Sequence, residues 1–367
     1  MFKFHMPTKI IVGRGAVQNN QDALVLGKKA LIVTGKTSGK KSGALDEIIN
    51  ILENKKIPYS VYDKIENNPE INDMAVGGEF ARSNGCDFII AIGGGSPMDA
   101  AKAIAVYATN EPKENGDFQL YDIFSGKYKS KPLPMVAIPT TAGTGSEVTP
   151  YSILTLHKEQ TKRSFSCEDT FFKTAFIDGK YTVNLPLQVA RNTAIDAMCH
   201  LIEGYTNKKA SLSSDYIAIE GLKIIGKHLD KLENGKFDKD SCTELLWAST
   251  LGGIVISQTG TTIVHSMGYQ LTYFKNIPHG FANGLLLYEY LKRVDKKRVD
   301  VCLSALGLGS LEELRAFLVK TLPSVYNFDV NELVEWSKIA IQAKNVASCP
   351  YPVTKETEME IYKNSLL

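Results

Sequence analysis

Cysteine is scarce and scattered in this chain of 367 residues. The six residues, at positions 86, 167, 199, 242, 302 and 349, form no Cys-x-x-Cys pair. That excludes a disulfide framework and a cysteine-rich zinc site, and it suits a reducing, cytoplasmic setting. Charge of one sign is not in excess: 42 Lys and Arg against 40 Asp and Glu leave +2. So even a balance excludes a strongly basic nucleic-acid binder and an acidic disordered tail as readings of the whole chain. No stretch reaches the ~18 uninterrupted apolar residues of a membrane helix. Neither nucleic acid nor membrane is therefore expected as a partner. The start, Met1-Phe2-Lys3-Phe4-His5, has no apolar signal core, so secretion by that route is not expected. Internal repeats and low-complexity linkers are lacking as well.

What is present is an ordinary globular composition, 44% hydrophobic and 22% charged, with length for two domains. Short apolar runs punctuate the first half: Ala30–Thr34 before Gly35, Phe88–Ile92 before Gly93, Leu133–Ile138 before Pro139 and Thr174–Ile177 before Asp178. Runs this short, apolar on both faces and stopped by Gly or Pro, read as buried parallel strands. Helical patterns fall between them at Ser42–Asn54, Ile71–Asn84 and Met98–Ala108. The alternation predicts βαβ units: an α/β domain with a parallel sheet covered by helices. After Asn184 only helical segments are convincing: Leu187–Thr206, Ser213–Leu232, Ser241–Ser257, Gly280–Val294, Leu311–Leu322 and Asn331–Asn345. The expected organisation is an α/β domain over residues 1–182 and an all-helical domain over 183–367.

Two loops at expected strand ends have the composition of a phosphate site. In Gly93-Gly94-Gly95-Ser96-Pro97-Met98-Asp99, bare amides open a helix, whose dipole favours an anion. Ser96 is placed at the N-cap, Pro97 at the first helical position and Asp99 as the capping-box partner. The spacing is neither GxGxxG nor GxxxxGK[ST], so it indicates phosphate without naming the nucleotide. The second loop, Pro139-Thr140-Thr141-Ala142-Gly143-Thr144-Gly145-Ser146-Glu147, offers four hydroxyls and a carboxylate at the next strand end. A solvated Ser/Thr turn would read the same way.

Four residues in the second half could hold a cation. Asp196 and His200 share one face of a predicted helix at i, i+4. His265 lies in a glycine-flanked segment, Gly260–Gly268, and His279 stands at a predicted helix entry. One carboxylate and three imidazoles suit Fe(II) or Zn(II) with a position left open for substrate. A helical Asp/His hydrogen bond and unrelated histidines would give the same pattern.

The chain resembles the iron-containing (type III) alcohol dehydrogenases, related in fold to glycerol dehydrogenase and dehydroquinate synthase. The carrying stretches are Gly93–Lys102, Pro139–Thr149, Asp196–Gly204 and His265–Gly280, in that order and at those separations. The resemblance implies a Rossmann-like domain for NAD(P), a helical domain for the metal, and a homodimer or larger. Carried over position by position, the metal ligands fall on Asp196, His200, His265 and His279. The pyrophosphate loop falls on Gly94, Gly95 and Ser96, with Asp99 beside it. The nicotinamide-side loop falls on Thr140, Thr141, Thr144 and Ser146, the adenosine-side Asn on Asn68, and a lysine near the cofactor sugar on Lys162.

Two positions depart from the family pattern. Where NAD-preferring members often carry Asp at a strand end, this chain has Gly35, then Lys36, Thr37, Ser38, Gly39 and Lys40. A bare amide, hydroxyls and two cations favour a 2′-phosphate, so NADP is expected over NAD. Where many members have a histidine four residues beyond the third ligand, this chain has Tyr269. A phenol there can still donate a hydrogen bond. The implied function is hydride exchange between NAD(P) and a small alcohol or aldehyde, with Fe(II) or Zn(II) polarising the oxygen. The alternatives are a zinc enzyme of the dehydroquinate-synthase or glycerol-dehydrogenase type and a non-catalytic nucleotide binder.

Overall fold

The computed structural model describes residues 2–114, 116–126, 128–322 and 326–367. Eight strands occur among them: β1 (Lys9–Val12), β2 (Ala30–Gly35), β3 (Tyr59–Ile65), β4 (Phe88–Gly93), β5 (Met135–Pro139), β6 (Ser152–Leu156), β7 (Thr161–Phe165) and β8 (Thr174–Ile177). Six of them form one sheet in the order β1-β8-β5-β4-β2-β3. Every pairing in it is parallel. β4, β5 and β8 are buried along their whole length, and β2 along all but its last residue. Burial on both faces is why these four read as continuous apolar runs.

β1 and β3 lie at the sheet edges, are partly exposed, and lack that signature. β6 and β7 stand apart as an antiparallel hairpin whose second strand, Thr-Lys-Arg-Ser-Phe, is too polar to read as a strand. From β2 the chain goes to one side, to β3, and then returns past β2 to β4 and β5 on the other. This reversal opens a crevice beyond the carboxyl ends of β2 and β4, at Gly35 and Gly93, the usual ligand position in an open α/β sheet.

Helices follow at Ala44–Asn54, Ile71–Ser83 and Gly95–Thr109 within this part of the chain. The last begins earlier than the sequence suggests. Gly94 is its N-cap, with no side-chain cap, and Ser96 is already inside the first turn. The expected Ser96–Asp99 capping box is therefore not formed. The Asp99 carboxylate instead accepts from Ser146 Oγ at 2.6 Å and from Ile153 N at 3.0 Å.

The chain separates into two compact units. The α/β unit comprises Met6–Thr141 and Ser146–Leu185; the helical unit comprises Met1–His5, Ala142–Gly145 and Pro186–Leu367. Division by a single cut at residue 182 misses the short excursion at 142–145. Close backbone packing explains it: a Cβ on Gly145 would come within 2.6 Å of Gly253 N, and one on Gly143 within 2.7 Å of Thr193.

In the helical unit the principal helices are Leu187–Thr206, Leu212–Gly226, Lys239–Thr259, Ile263–Lys275, His279–Leu291, Lys296–Leu306, Leu311–Thr321, Val330–Ala340 and Lys355–Leu366. The expected continuous helix Ser213–Leu232 is broken. Gly226 packs against the Leu306 carbonyl, and His228, out of helical geometry, caps a separate turn at Leu229–Asn234. The glycine-flanked segment around His265, outside the helices expected from the sequence, belongs to the Ile263–Lys275 helix. Gly268 lies inside it because a Cβ there would meet Asn283 Oδ1 at 2.0 Å, so this glycine serves packing and marks no turn. No helix among the described residues is long and apolar enough to cross a membrane.

Candidate metal centre and nucleotide loops

Three helices bring four side chains to one buried point. Asp196 and His200 face the same side of Leu187–Thr206, one turn apart. His265 sits in the first turn of Ile263–Lys275, and His279 is the first residue of His279–Leu291. That last helix can enter close to Asp196 because Gly280 follows: a Cβ on Gly280 would lie 1.9 Å from Asn192 O and 2.8 Å from Asp196 Cβ.

Asp196, His265 and His279 present ligand atoms within 4.8 Å of one another. Asp196 Oδ1 is 3.6 Å from His265 Nε2 and 3.8 Å from His279 Nε2, and His265 Nε2 is 2.9 Å from His200 Nε2. Ligand bonds of about 2.1 Å in tetrahedral array imply ligand–ligand edges of about 3.4 Å. The three separations bracket that figure, so the donor set fits a first-row divalent cation. Side-chain exposure is 2% for His265 and 4% for Asp196 but 24% for His279, which marks the accessible side.

Neighbouring groups orient these donors. His200 Nδ1 donates to Gly143 O at 3.3 Å, and His265 Nδ1 donates to the Glu203 carboxylate. With both Nδ1 atoms engaged, both Nε2 atoms turn inward, 2.9 Å apart, an arrangement satisfied by a shared proton or by a cation in its place. Asn283 Nδ2 donates to Asp196 Oδ1 at 2.9 Å and lies 3.2 Å from His279 Nε2. Burial opposes a charge on Asp196, but His200, His279 and His265 override it and hold the carboxyl far below the usual range. Burial likewise opposes a charged His265, yet Glu203 and Asp196 push it up to about 10. His200 is lowered, chiefly by burial. Tyr269 stacks on His279, ring centroids 5.3 Å apart and planes 15° from parallel.

The positions expected to bind a nucleotide lie mostly at the ends of β2, β4 and β5. Gly94 passes so close to Thr141 that a Cβ would meet Thr141 Oγ1 at 2.7 Å. Gly95 opens the uncapped helix. Thr140 N donates to Gly93 O at 2.9 Å, and the buried Thr140 Oγ1 has no hydrogen-bond partner among the described residues. Asn68, in left-handed conformation at φ 59°, gathers three elements. Its N–H donates to Ser96 Oγ at 3.3 Å, its Oδ1 accepts from Lys162 Nζ at 2.8 Å, and its carbonyl accepts from Thr155 Oγ1 at 3.0 Å.

Asp99 and Ser146 meet, whereas Thr144 belongs to the excursion in the helical unit. At the end of β2, Gly35 packs on Ser38, and Lys36 forms a surface ion pair with Glu66. Neither Glu66 nor its effect on Lys36 is visible from local sequence.

Several contributing residues are not among the site residues expected from the sequence. Lys102 is fully buried and donates to Ser146 O at 2.8 Å, Ser146 Oγ at 2.7 Å and Tyr151 O at 2.6 Å. Burial lowers its ammonium to about 8 although Asp99 and Glu147 oppose the shift, and burial raises Asp99 in turn. This clasp fixes the loop after β5 to the helix after β4. Glu203 could have been suspected from its i+7 spacing to Asp196 on one helical face; Asn283 offers no such cue.

A parallel nucleotide-type sheet in one unit and a buried carboxylate–imidazole cluster in another define a metal-dependent, nucleotide-linked oxidoreductase. The chain belongs to the iron-containing alcohol dehydrogenase family. The family's "Iron-containing alcohol dehydrogenase" profile matches residues 7–179, and the "Fe-containing alcohol dehydrogenase family, C-terminal" profile matches residues 190–366. The NADPH-dependent butanol dehydrogenase of Clostridium saccharobutylicum is 31% identical over 82% of this chain and 76% of its own length. The lactaldehyde reductase of Escherichia coli (strain K12) is 35% identical over 75% and 71%. The crystal structure of an iron-containing alcohol dehydrogenase from Thermotoga maritima is 37% identical and covers 100% of this chain and 99% of its own, with a TM-score of 0.90. The protein is thus a metal- and NAD(P)-dependent alcohol dehydrogenase, acting on CH–OH groups and their carbonyl counterparts.

Proposed function

We propose that this chain reduces short aldehydes with NADPH, and oxidises the matching primary alcohols or diols, using a divalent ion held by Asp196, His200, His265 and His279. Iron(II) is the ion proposed, with zinc(II) as the substitute the same N/O set accepts. The observation that carries the reading is the convergence of Asp196 Oδ1 and the imidazole nitrogens at 2.9 to 3.8 Å. When bound, the metal supplies Lewis-acid polarisation of a carbonyl or carbinol oxygen and the nicotinamide supplies the hydride.

The chain's own residues bind, orient and exclude water. His265, His200 and Asp196 are buried and set the position of the charge, while the part-exposed His279 borders the substrate side. Tyr269 is proposed as a wall against His279, carrying a phenol that can donate a hydrogen bond. In the nucleotide domain, the amides of Gly94 and Gly95 and the hydroxyl of Ser96 are assigned to the pyrophosphate. Asp99 is assigned to holding Ser146 beside that loop. Thr140, Thr141, Thr144 and Ser146 are assigned to the nicotinamide side, and Asn68 and Lys162 to the adenosine half and sugar.

The preference for NADP rests on the end of β2. No carboxylate stands at Gly35, and Lys36, Ser38 and Lys40 follow it. A 2′-phosphate there competes with Glu66 for Lys36. The NADPH dependence of the butanol dehydrogenase relative agrees. The α/β and helical units are read as nucleotide and metal–substrate domains. The subunit is read as part of a cytoplasmic homodimer, on family resemblance and on six cysteines that are all free thiols.

The test is to load the protein anaerobically with Fe(II), add a panel of short aldehydes, and follow NADPH and NADH absorbance. Metal-dependent consumption of NADPH, faster than of NADH, is expected. No consumption of either by the loaded protein contradicts the proposal.

A further inference from the structure

We infer that Glu203 is a positioning residue for the cation: it holds His265 in the Nδ1–H form, leaving the Nε2 lone pair for the ion. The inference rests on the reading of the cluster as a metal centre.

Asp196, His200 and Glu203 stand at i, i+4 and i+7 on the Leu187–Thr206 helix, so all three face one side. Glu203 is fully buried. Among the described residues its hydrogen-bond donors are Thr262 and His265. Oε1 accepts from Thr262 N at 2.7 Å and from Thr262 Oγ1 at 2.6 Å, and Oε2 accepts from His265 Nδ1. Thr262 is the N-cap of the helix that carries His265, yet its hydroxyl makes no capping bond and turns to Glu203. Asn345 Nδ2 fixes that turn through Thr262 O at 2.8 Å. The carboxylate therefore sits at a helix N-terminus, where the dipole favours negative charge, and is aimed by three donors.

Charge and donor pattern both assign the role. Asp196 and Glu203 together carry two negative charges beside three imidazoles, which matches a divalent cation and would leave a trivalent one uncompensated. An amide in place of the carboxylate cannot reproduce the pattern. If its oxygen meets Thr262, its NH2 faces His265 Nδ1, which must then accept. The proton moves to Nε2, and that nitrogen can no longer ligate. If its oxygen meets His265, the NH2 faces the Thr262 N–H, a donor left with nothing to accept it, even though the Thr262 hydroxyl can turn. Either way the bound form loses support.

The experiment titrates chelator-stripped protein with Co(II), reading the dissociation constant by chelator competition and the visible absorption spectrum, with no turnover measured. Glu203→Gln is expected to weaken Co(II) binding about 10- to 100-fold and alter the spectrum, while leaving NADP affinity unchanged. Thr262→Val, which removes one donor and keeps the backbone N–H, is expected to weaken it about threefold. If Glu203→Gln does not fold, Thr262→Val decides by that same weakening. Wild-type Co(II) affinity and spectrum in the folded variants overturn the inference. Failure of the wild-type protein to bind Co(II) would instead overturn the metal-centre reading beneath it.

Discussion

The two units build their candidate ligand sites from opposite materials. In the α/β unit, the crevice at β2, β4 and β5 is made of backbone amides and small hydroxyls, brought close by glycines such as Gly94. In the helical unit, the cluster is made of four side chains from three helices, each oriented by a neighbour. Buried charge is handled differently as well. The α/β unit buries Lys102 and sets it beside the partly buried Asp99 as a hydrogen-bonded clasp on the Ser146 loop. The helical unit buries charges that converge on an ion site, and elsewhere buries Glu358 with neither oxygen hydrogen-bonded among the described residues. A backbone-built site should tolerate many side-chain changes but few added Cβ atoms. A side-chain-built site should show the reverse.

Substitutions that strike one material and spare the other break the comparison apart. The largest effect is expected from His265→Ala: loss of the metal and a fall in kcat/KM of at least about 10³-fold, with NADP affinity and circular dichroism unchanged. Gly94→Val strikes the backbone site. Its Cβ would meet Thr141 Oγ1 at 2.7 Å, and NADP affinity measured by fluorescence is expected to fall on the order of 10²-fold. Metal content should remain at the wild-type level.

Next comes Glu358→Gln. Burial raises the Glu358 carboxyl from an ordinary 4.5 to about 8. Between those values the folded chain keeps a proton that the unfolded chain has released. Stability contributed by this group is thus full below pH 4.5 and is lost progressively as pH rises to about 8. Removing the charge is expected to stabilise the protein by a few kcal/mol at pH 8 and by little at pH 5, read as the shift in Tm. An equal shift at both pH values would show that the carboxylate is not strained by burial. The smallest effect is expected from Gly35→Asp, about tenfold in the ratio of kcat/KM for NADP over NAD, in favour of NAD. An unchanged ratio would remove the end of β2 from the basis of cofactor choice.

The same contrast governs what could be read from the sequence. β2, β4, β5 and β8 are legible because burial on both faces leaves an unbroken apolar run. Edge strands β1 and β3 and the polar hairpin β6–β7 bury too little to leave one. The Ile263–Lys275 helix was masked by Gly268, which serves Asn283 packing and not a turn. Asp196, His200, His265 and His279 stand out by residue type, because few side chains offer metal donors. Glu203, Asn283 and Lys102 act through partners 59 to 87 and 44 to 49 residues away, and no local pattern announces such pairings. Ser96 and Asp99 were legible as residues of the loop but not in their roles. The cap they seemed to form gives way to contacts with Asn68 and Ser146.

Metal stoichiometry tests the central claim most directly. Chelator-stripped protein, titrated anaerobically with Fe(II) and freed of excess ion, is expected to retain one iron per chain by elemental analysis, and His265→Ala none. One iron per chain in His265→Ala, or none in the folded wild-type protein, would contradict the assignment of Asp196, His200, His265 and His279 as its ligands.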